Sequence, residues 1–516
     1  MRVEDHPDLL ALRDEHGRRL GLFSDLGSWV ALAFPDGALL EAVDTRDDRR
    51  FSIGPGIACR ERVAYADRIE AVLADGRRVR AGFLAPGTLF VEHAGELRTD
   101  LPSRRTGRGT VAGERLQQEP AEDFFEERRE EWNRRFERAQ AACGKAATDR
   151  DRLLLVRAIT TLAWNFRAPA GELRFGGIVP SPFAYNGYWG WDSWKHARAL
   201  ARIEPEWARQ QLRVQFSRQR EDGMVADTAR LAAAADNWSN TKPALCARAL
   251  EAVFLATSDE GLVRELYPAC ERFLRFFDEQ RRMPGRVLHQ PGGIDHQTAT
   301  WDTGWDLSAR FERIPLVGHG DWRLFDIHPA DLNAYHLMEH RALARLAPIA
   351  GAKATGWSRR AGEQEAALRA LFDPALGAFC DRRPDGRSTS ILSAAAWLPV
   401  CAGLGDRGQI ARIRRHLLDP RAFATPLPFP ALSAGEPAFD PDGYWNGSVW
   451  LDHAALALEV LGEEGCELRA RLLDQVARHP TFYECYSPLT GDAARGARPA
   501  VPQFSWSAAA VLELLQ

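Results

Sequence analysis

Apolar residues follow two rhythms along this chain. Up to about residue 115 they come in short runs broken by Asp-Gly pairs, as in Trp29-Val30-Ala31-Leu32-Ala33-Phe34 before Pro35-Asp36-Gly37. Ala74-Asp75-Gly76 is a second break, and Val63-Ala64-Tyr65 and Thr88-Leu89-Phe90-Val91 continue the pattern. Strand-like runs joined by hairpin dipeptides predict β-structure. Several at this spacing predict a β-sandwich over residues 1–117, an accessory packing unit. Residues 118–147, with Glu126-Glu127-Arg128-Arg129-Glu130-Glu131, read as a solvated linker helix.

From Thr148 the apolar spacing becomes helical. It predicts twelve segments: 148–165, 192–202, 205–220, 242–257, 261–281, 328–348, 356–372, 388–403, 407–417, 446–461, 464–478 and 503–515. Ile391–Leu404 and Val449–Leu461 are apolar almost all round, which marks buried helices. Twelve helices, half buried and half amphipathic, fit two concentric rings of six. The expected fold is therefore mainly α: an (α/α)6 barrel over 148–516 behind the β-sandwich. An open solenoid is the alternative, but no fixed repeat period is visible. Three connections, 282–327, 418–445 and 479–502, are long enough to be functional.

Composition narrows the chemistry. A net charge of −4, with no basic run interleaved with aromatics, gives no reason to expect nucleic acid. No apolar run is long enough for a membrane, and Met1-Arg2-Val3-Glu4-Asp5-His6 has no signal core, so a cytoplasmic protein is expected. Eight scattered cysteines without a CxxC pair read as free thiols, and neither a metal nor a cofactor is expected.

Sixteen tryptophans against eight tyrosines change the picture, because many sit beside carboxylates in loops. Thr300–Phe311 sets Trp301, Asp302, Trp305 and Asp306 around Gly304. Tyr185–His196 holds Tyr188, Trp189, Trp191, Asp192, Trp194 and Lys195. Asp222–Asp227 precedes Asn237–Pro243, with Lys242. Asp331–Tyr335, Tyr444–Trp450, Phe482–Gly491 and Gln503–Ser507 complete the set. Each has a plainer reading: Asp192, Ser193, Thr241 or Asp331 could be helix caps. Together, flat rings beside carboxylates suit a sugar cleft. Glycoside hydrolysis needs two carboxyl groups, one protonated and one ionised. Asp306 and Glu484 are the candidates, and apolar neighbours or hydrogen bonds could push Glu484 either way.

Residues from about 160 to 516 resemble glycoside hydrolase family 63 and, more distantly, the family 37 trehalases. The resemblance rests on Asp302-Thr303-Gly304-Trp305-Asp306, Glu484-Cys485-Tyr486-Ser487-Pro488-Leu489-Thr490-Gly491, Trp191-Asp192-Ser193-Trp194, Phe504–Ala508 and Asp331–Ala334, in the family's order. It implies Asp306 as general acid and Glu484 as general base. Asp302 stands where the family usually has Glu, Cys485 and Ser487 replace asparagines, and Asn446, Ser448 and Ala226 also depart from it.

The expected function is an inverting α-glycosidase, foremost an α-glucosidase acting on a small oligosaccharide or glucoside. A trehalase or a glucosyl- or mannosylglycerate hydrolase is the alternative, and a non-catalytic carbohydrate-binding protein a further one. Inversion implies a carboxyl separation of roughly 6.5–9.5 Å. Tyr188, Trp189, Trp191, Asp192, Lys195, Lys242, Asp302, Trp305, Trp445, Gln503 and Trp506 are expected to bind the sugar, the only expected partner.

Overall fold

The computed structural model describes every residue except 15, 17, 36–39, 55–58 and 145–147. Ten strands come first: β1 Val30–Ala33, β2 Leu40–Asp44, β3 Arg49–Gly54, β4 Cys59–Ala64, β5 Ile69–Leu73, β6 Arg78–Ala85, β7 Thr88–His93, β8 Arg98–Thr99, β9 Ser103–Arg105 and β10 Gly109–Gly113. They form two antiparallel sheets, β1-β2-β3-β8 and β4-β5-β6-β7-β10-β9. The Ala74-Asp75-Gly76 turn joins β5 to β6. Gly76 takes φ 85°, and the Asp75 carboxylate accepts the Arg77 N–H at 3.1 Å. Asp36-Gly37 of the other expected turn lies outside the described residues, although β1 and β2 on either side of it pair antiparallel.

Helix α1, Phe124–Ala142, is less solvated than its charge run suggests. Trp132 and Phe136 are fully buried on one face, and Arg128 reaches Asp25 while Arg135 pairs with Glu204 at 2.9 Å. The linker is a strut between the sheets and the helices. Trp164, on α2 (Asp149–Asn165), meets Phe23 edge-on at 5.3 Å and donates to the Ala66 carbonyl, so one apolar core runs through both regions.

The other helices are α3 Gly190–Leu200, α4 Pro205–Phe216, α5 Cys246–Thr257, α6 Glu260–Gln280, α7 His296–Thr303, α8 Ala330–Leu346, α9 Thr355–Arg369, α10 Leu398–Cys401, α11 Arg407–Leu418, α12 Leu451–Leu461, α13 Cys466–Ala477 and α14 Ser505–Leu515. Contacts run α3–α5–α8–α10–α12–α14 and back to α3, a closed ring. Helix α4 packs on α3, α6 on α5, α9 on α8, α11 on α12 and α2 on α14, and α13 packs on α2. α10 continues a 3-10 turn at Ala394–Trp397, shorter than the segment expected there. The 282–327 connection is not structureless. It holds α7, with Asp295 as a capping-box residue, and a three-stranded sheet of Gly292–Gly293, Leu316–His319 and Trp322–Phe325. No helix among the described residues is long and apolar enough to cross a membrane.

Candidate active site

Three loops are bound to one another at the site. The Asn446 side chain accepts the Ala309 N–H at 2.7 Å and donates to the Leu307 carbonyl at 2.9 Å, which fixes the segment after Asp306. Val449 and Tyr486 exchange backbone bonds at 2.7 and 3.0 Å. Gly304 takes φ 77°, and a Cβ there would lie 2.2 Å from the Trp191 ring, so only glycine lets the loop pass over that indole. At the start of α3, Ser193 Oγ donates to the Trp189 carbonyl and accepts from Gln211 and Gln215, all at 2.7 Å. Asp192 is therefore not the cap, and its carboxylate faces the cavity.

The resulting cavity has a volume of about 260 Å³ and includes Asp192, Asp227, Lys242, Asp306, Glu484 and Arg498 among its lining residues. Its aromatic walls are Tyr185, Trp189, Trp191, Trp301, Tyr444, Trp445, Trp450, Phe504 and Trp506. Trp445 and Trp450 stack at 4.0 Å with an 8° interplanar angle, and Trp191 meets Trp506 at 4.9 Å. Aromatic walls beside carboxylates offer a pyranose both apolar and hydroxyl contacts.

Asp306 Oδ2 sits 3.0 Å from Arg498 Nη1, and its Oδ1 is 3.9 Å from Lys242 Nζ. Lys242 also approaches Asp227 at 3.4 Å and donates to the Trp301 carbonyl. Burial works against its charge, but Asp227, Asp306 and Asp192 together outweigh it and raise the ammonium above its ordinary range. Glu484 is 4% exposed, and burial pushes it up to about 7 although the Tyr444 hydroxyl donates to its Oε1 at 2.7 Å. Burial likewise raises Asp192 to about 7 against the pull of Lys195 and Lys242.

Of the expected residues, Asp306, Glu484, Trp189, Trp191, Asp192, Lys242, Trp445 and Trp506 converge on this cavity. Five lie behind its wall. Tyr188 is fully buried against Trp29 at 6.4 Å. Lys195 lies under the Trp191 and Trp506 rings and pairs with Asp452. Asp302 accepts the Thr241 and Gly292 N–H groups, both at 2.9 Å, and pairs with buried Arg281, which makes it a loop fastener. Trp305 is buried between Trp445 at 4.6 Å and the Arg310 guanidinium at 4.3 Å. Gln503 ties the Leu22 backbone to Asn165. Tyr188, Asp302, Trp305 and Gln503 each adjoin a lining residue in sequence and point the other way, while Lys195 sits one helical turn on from Asp192.

Asp331 does not cap α8. It pairs with Arg310, whose guanidinium also grips Asp381, and Asp381 accepts the Ala330 N–H at 3.0 Å. Tyr185, Asp227, Tyr444 and Trp450 line the cavity from within the aromatic clusters but carried no separate signal. Arg230 and Arg498 are isolated loop arginines that nothing in the sequence marked.

A family model described as a mannosylglycerate hydrolase MGH1-like glycoside hydrolase domain matches residues 185–507. Mannosylglycerate hydrolase MGH1 of Selaginella moellendorffii is 24% identical over 419 residues, 66% of this chain and 82% of that protein. The mannosylglycerate hydrolase of Thermus thermophilus is 31% identical over 153 residues, 29% of this chain and 35% of that one. Among solved structures, the family 63 mannosylglycerate hydrolase of Thermus thermophilus with Tris and D-glycerate has a TM-score of 0.59 at 21% identity, covering 70% of this chain and all of that one. Neutral trehalase Nth1 of Saccharomyces cerevisiae has a TM-score of 0.55 at 16% identity, covering 66% and 73%. The chain is a glycoside hydrolase. Within that class the chain belongs to the mannosylglycerate hydrolase MGH1-like glycoside hydrolase domain family.

Proposed function

We propose that this glycoside hydrolase is an inverting α-glycosidase in which Asp306 protonates the glycosidic oxygen and Glu484 takes a proton from the attacking water. The carrying observation is that both carboxyl groups line one tryptophan-walled cavity with Lys242 among the carboxylates. Asp192 and Lys242 bond the sugar hydroxyls, and Trp189, Trp191 and Trp506 pack against the sugar, with Trp445 held behind them between Trp450 and Trp305. The architecture in this reading is an (α/α)6 barrel over 148–516 joined through a helical linker, 118–147, to a β-sandwich over 1–117. The cavity is small beside ligand pockets of roughly 300–1,000 Å³, which suits one sugar ring and a short aglycone.

The aglycone we favour carries a carboxylate, as glycerate does. Arg230 lines the cavity and lies 5.4 Å over the Trp189 ring; the Asp236 carboxylate accepts its backbone N–H at 2.7 Å, and among the described residues no carboxylate pairs with its guanidinium. A free guanidinium at a cavity wall suits bidentate carboxylate recognition. The names of the relatives, mannosylglycerate hydrolases, agree with this choice. A plain α-glucoside and trehalose are the neutral competitors. Eight free thiols suit a reducing, cytoplasmic setting.

The test is hydrolysis of mannosylglycerate, glucosylglycerate, trehalose, maltose, kojibiose and nigerose, with the first product anomer read by NMR. Release of β-anomer from an α-glycoside, lost in D306N and E484Q, is the expected result. Retained configuration, or full turnover in either variant, overturns the assignment. R230M is expected to raise KM for the glycerate glycosides and leave neutral glycosides unchanged.

A further inference from the structure

Lys195 is one of the few lysines in the chain's interior. Its ammonium lies 3.7 Å from the centre of the Trp191 ring and 3.4 Å from that of Trp506, close enough to attract both ring faces. Its carboxylate partner, Asp452, lies 3.0 Å away on α12. Asp452 also holds His453 Nδ1 at 3.0 Å, and the His453 ring packs edge-on to Trp305 and Trp445, both at 5.3 Å. One carboxylate thus joins the two halves of the aromatic floor. Lys195, Asp452 and Trp506 line a separate cavity of about 40 Å³ behind that floor.

Lys195 follows Asp192 by three residues on α3, so the two share one face of the helix. Asp192 opens into the sugar cavity above the floor and Lys195 lies beneath it. Few lysines are buried without a role that outweighs desolvation. The geometry points to Lys195 as a positioning residue: from below the floor it fixes the Trp191 and Trp506 planes and favours the anionic form of Asp192, which accepts sugar hydroxyl bonds.

The charges facing Asp192 define what its removal would do. They are Lys195 from its own helix, Lys242 ahead of α5, Asp227 from the preceding loop and Glu484 from the 479–502 loop. Two are cations and two are carboxylic acids. Deleting Lys195 leaves Lys242 alone against burial and two acids, so Asp192 takes up a proton at a higher pH. Lys242 is already shared with Asp227 and Asp306 and cannot compensate.

This inference rests on Asp192 binding sugar, as proposed above, but its main test needs no ligand. Intrinsic tryptophan fluorescence of the full chain is titrated with pH, and the Asp192 transition is identified by its loss in D192N. K195M is expected to move that midpoint up by about one to two pH units, the effect of losing a unit charge on the next turn of the same helix. K195R is expected to restore it. K195M/D452N removes both members of the pair. It should recover the thermal stability lost in K195M while keeping the shifted midpoint, a split that a merely structural lysine would not give. Mannose or glucose binding to K195M should be weak at pH 7 and recover at pH 9. An unchanged midpoint in K195M, or a midpoint restored together with stability in the double variant, overturns the inference. Failure of the wild type to hydrolyse any glycoside overturns the proposed function while the fluorescence titration still decides the role of Lys195.

Discussion

Arg498 and Asp306 meet at 3.0 Å across 192 residues of sequence. The arginine is 37% exposed at its side chain and also lies 5.3 Å over the Tyr444 ring, so it ties the proposed acid to the loop carrying the partner of Glu484. R498M is expected to lower kcat/KM by about 10²-fold, the cost of a misplaced reacting group. Little change in folding stability is expected, since the pair is solvent-accessible. Steady-state kinetics beside urea denaturation checks this; a stability loss as large as the activity loss would contradict it.

The pH profile separates the roles of the two carboxyl groups. Glu484 is raised to about 7 by burial. As a general base it must be ionised, so kcat/KM should rise with pH through about 7. As a general acid it would make activity fall over the same range. Tyr444→Phe removes a hydrogen bond that favours the ionised form and should move the rising limb to higher pH. The pH dependence of kcat/KM in the two proteins decides.

The same carboxyl group predicts a stability difference. Its pKa is higher in the folded state than the ordinary 4.5, so the folded state binds the proton more tightly. Its stabilising contribution is therefore full below about 4.5 and is lost as pH rises through about 7. E484Q, neutral throughout, should match the wild type at pH 4.5 and exceed it at pH 8 by up to about 3 kcal/mol. Denaturant melts at the two pH values measure it, and equal stability at pH 8 would refute buried ionisation.

Gly304 allows no side chain. In G304A the methyl would press on the Trp191 ring from 2.2 Å, at a φ of 77° that L-residues adopt with strain. The backbone alone should cost about 1–2 kcal/mol, and displacement of Trp191 should add to it and weaken sugar binding. Circular dichroism melts together with KM test this.

Arg310 sits buried between Asp331 and Asp381, with four contacts of 2.8–2.9 Å. R310M strands two buried carboxylates beneath Trp305 and should cost about 3–5 kcal/mol, measured by denaturation. R310M with D331N and D381N should regain much of it; equal losses in the two proteins would mean that packing rather than charge dominates.

Reading the sequence succeeded where the signal was local. Most helices from 148 on lie within a few residues of their expected limits, but α10 covers only Leu398–Cys401 of the expected 388–403 and α7 lies where a loop was expected; α12 starts at Leu451, after the Tyr444–Asn446 turn, where Trp445 and Trp450 stack. It failed where neighbours along the chain diverge in space. Trp301 and Asp306 face the cavity while Asp302 and Trp305, in the same short stretch, point into the core.

Hydrophobic periodicity and turn residues alone determined two regions of different structure, and the co-occurrence of tryptophan with carboxylate marked the loops that line the cavity, while the family resemblance singled out Asp306 and Glu484 among their carboxylates. Those properties are written in spacing and residue type, which each segment carries by itself. Which face of each loop turns inward, the partnership of Arg498 with Asp306 and the placement of Lys195 beneath the floor rather than in it were decided only by tertiary structure. These depend on groups far apart in sequence, whose burial and charge balance exist only once the ring of helices has closed.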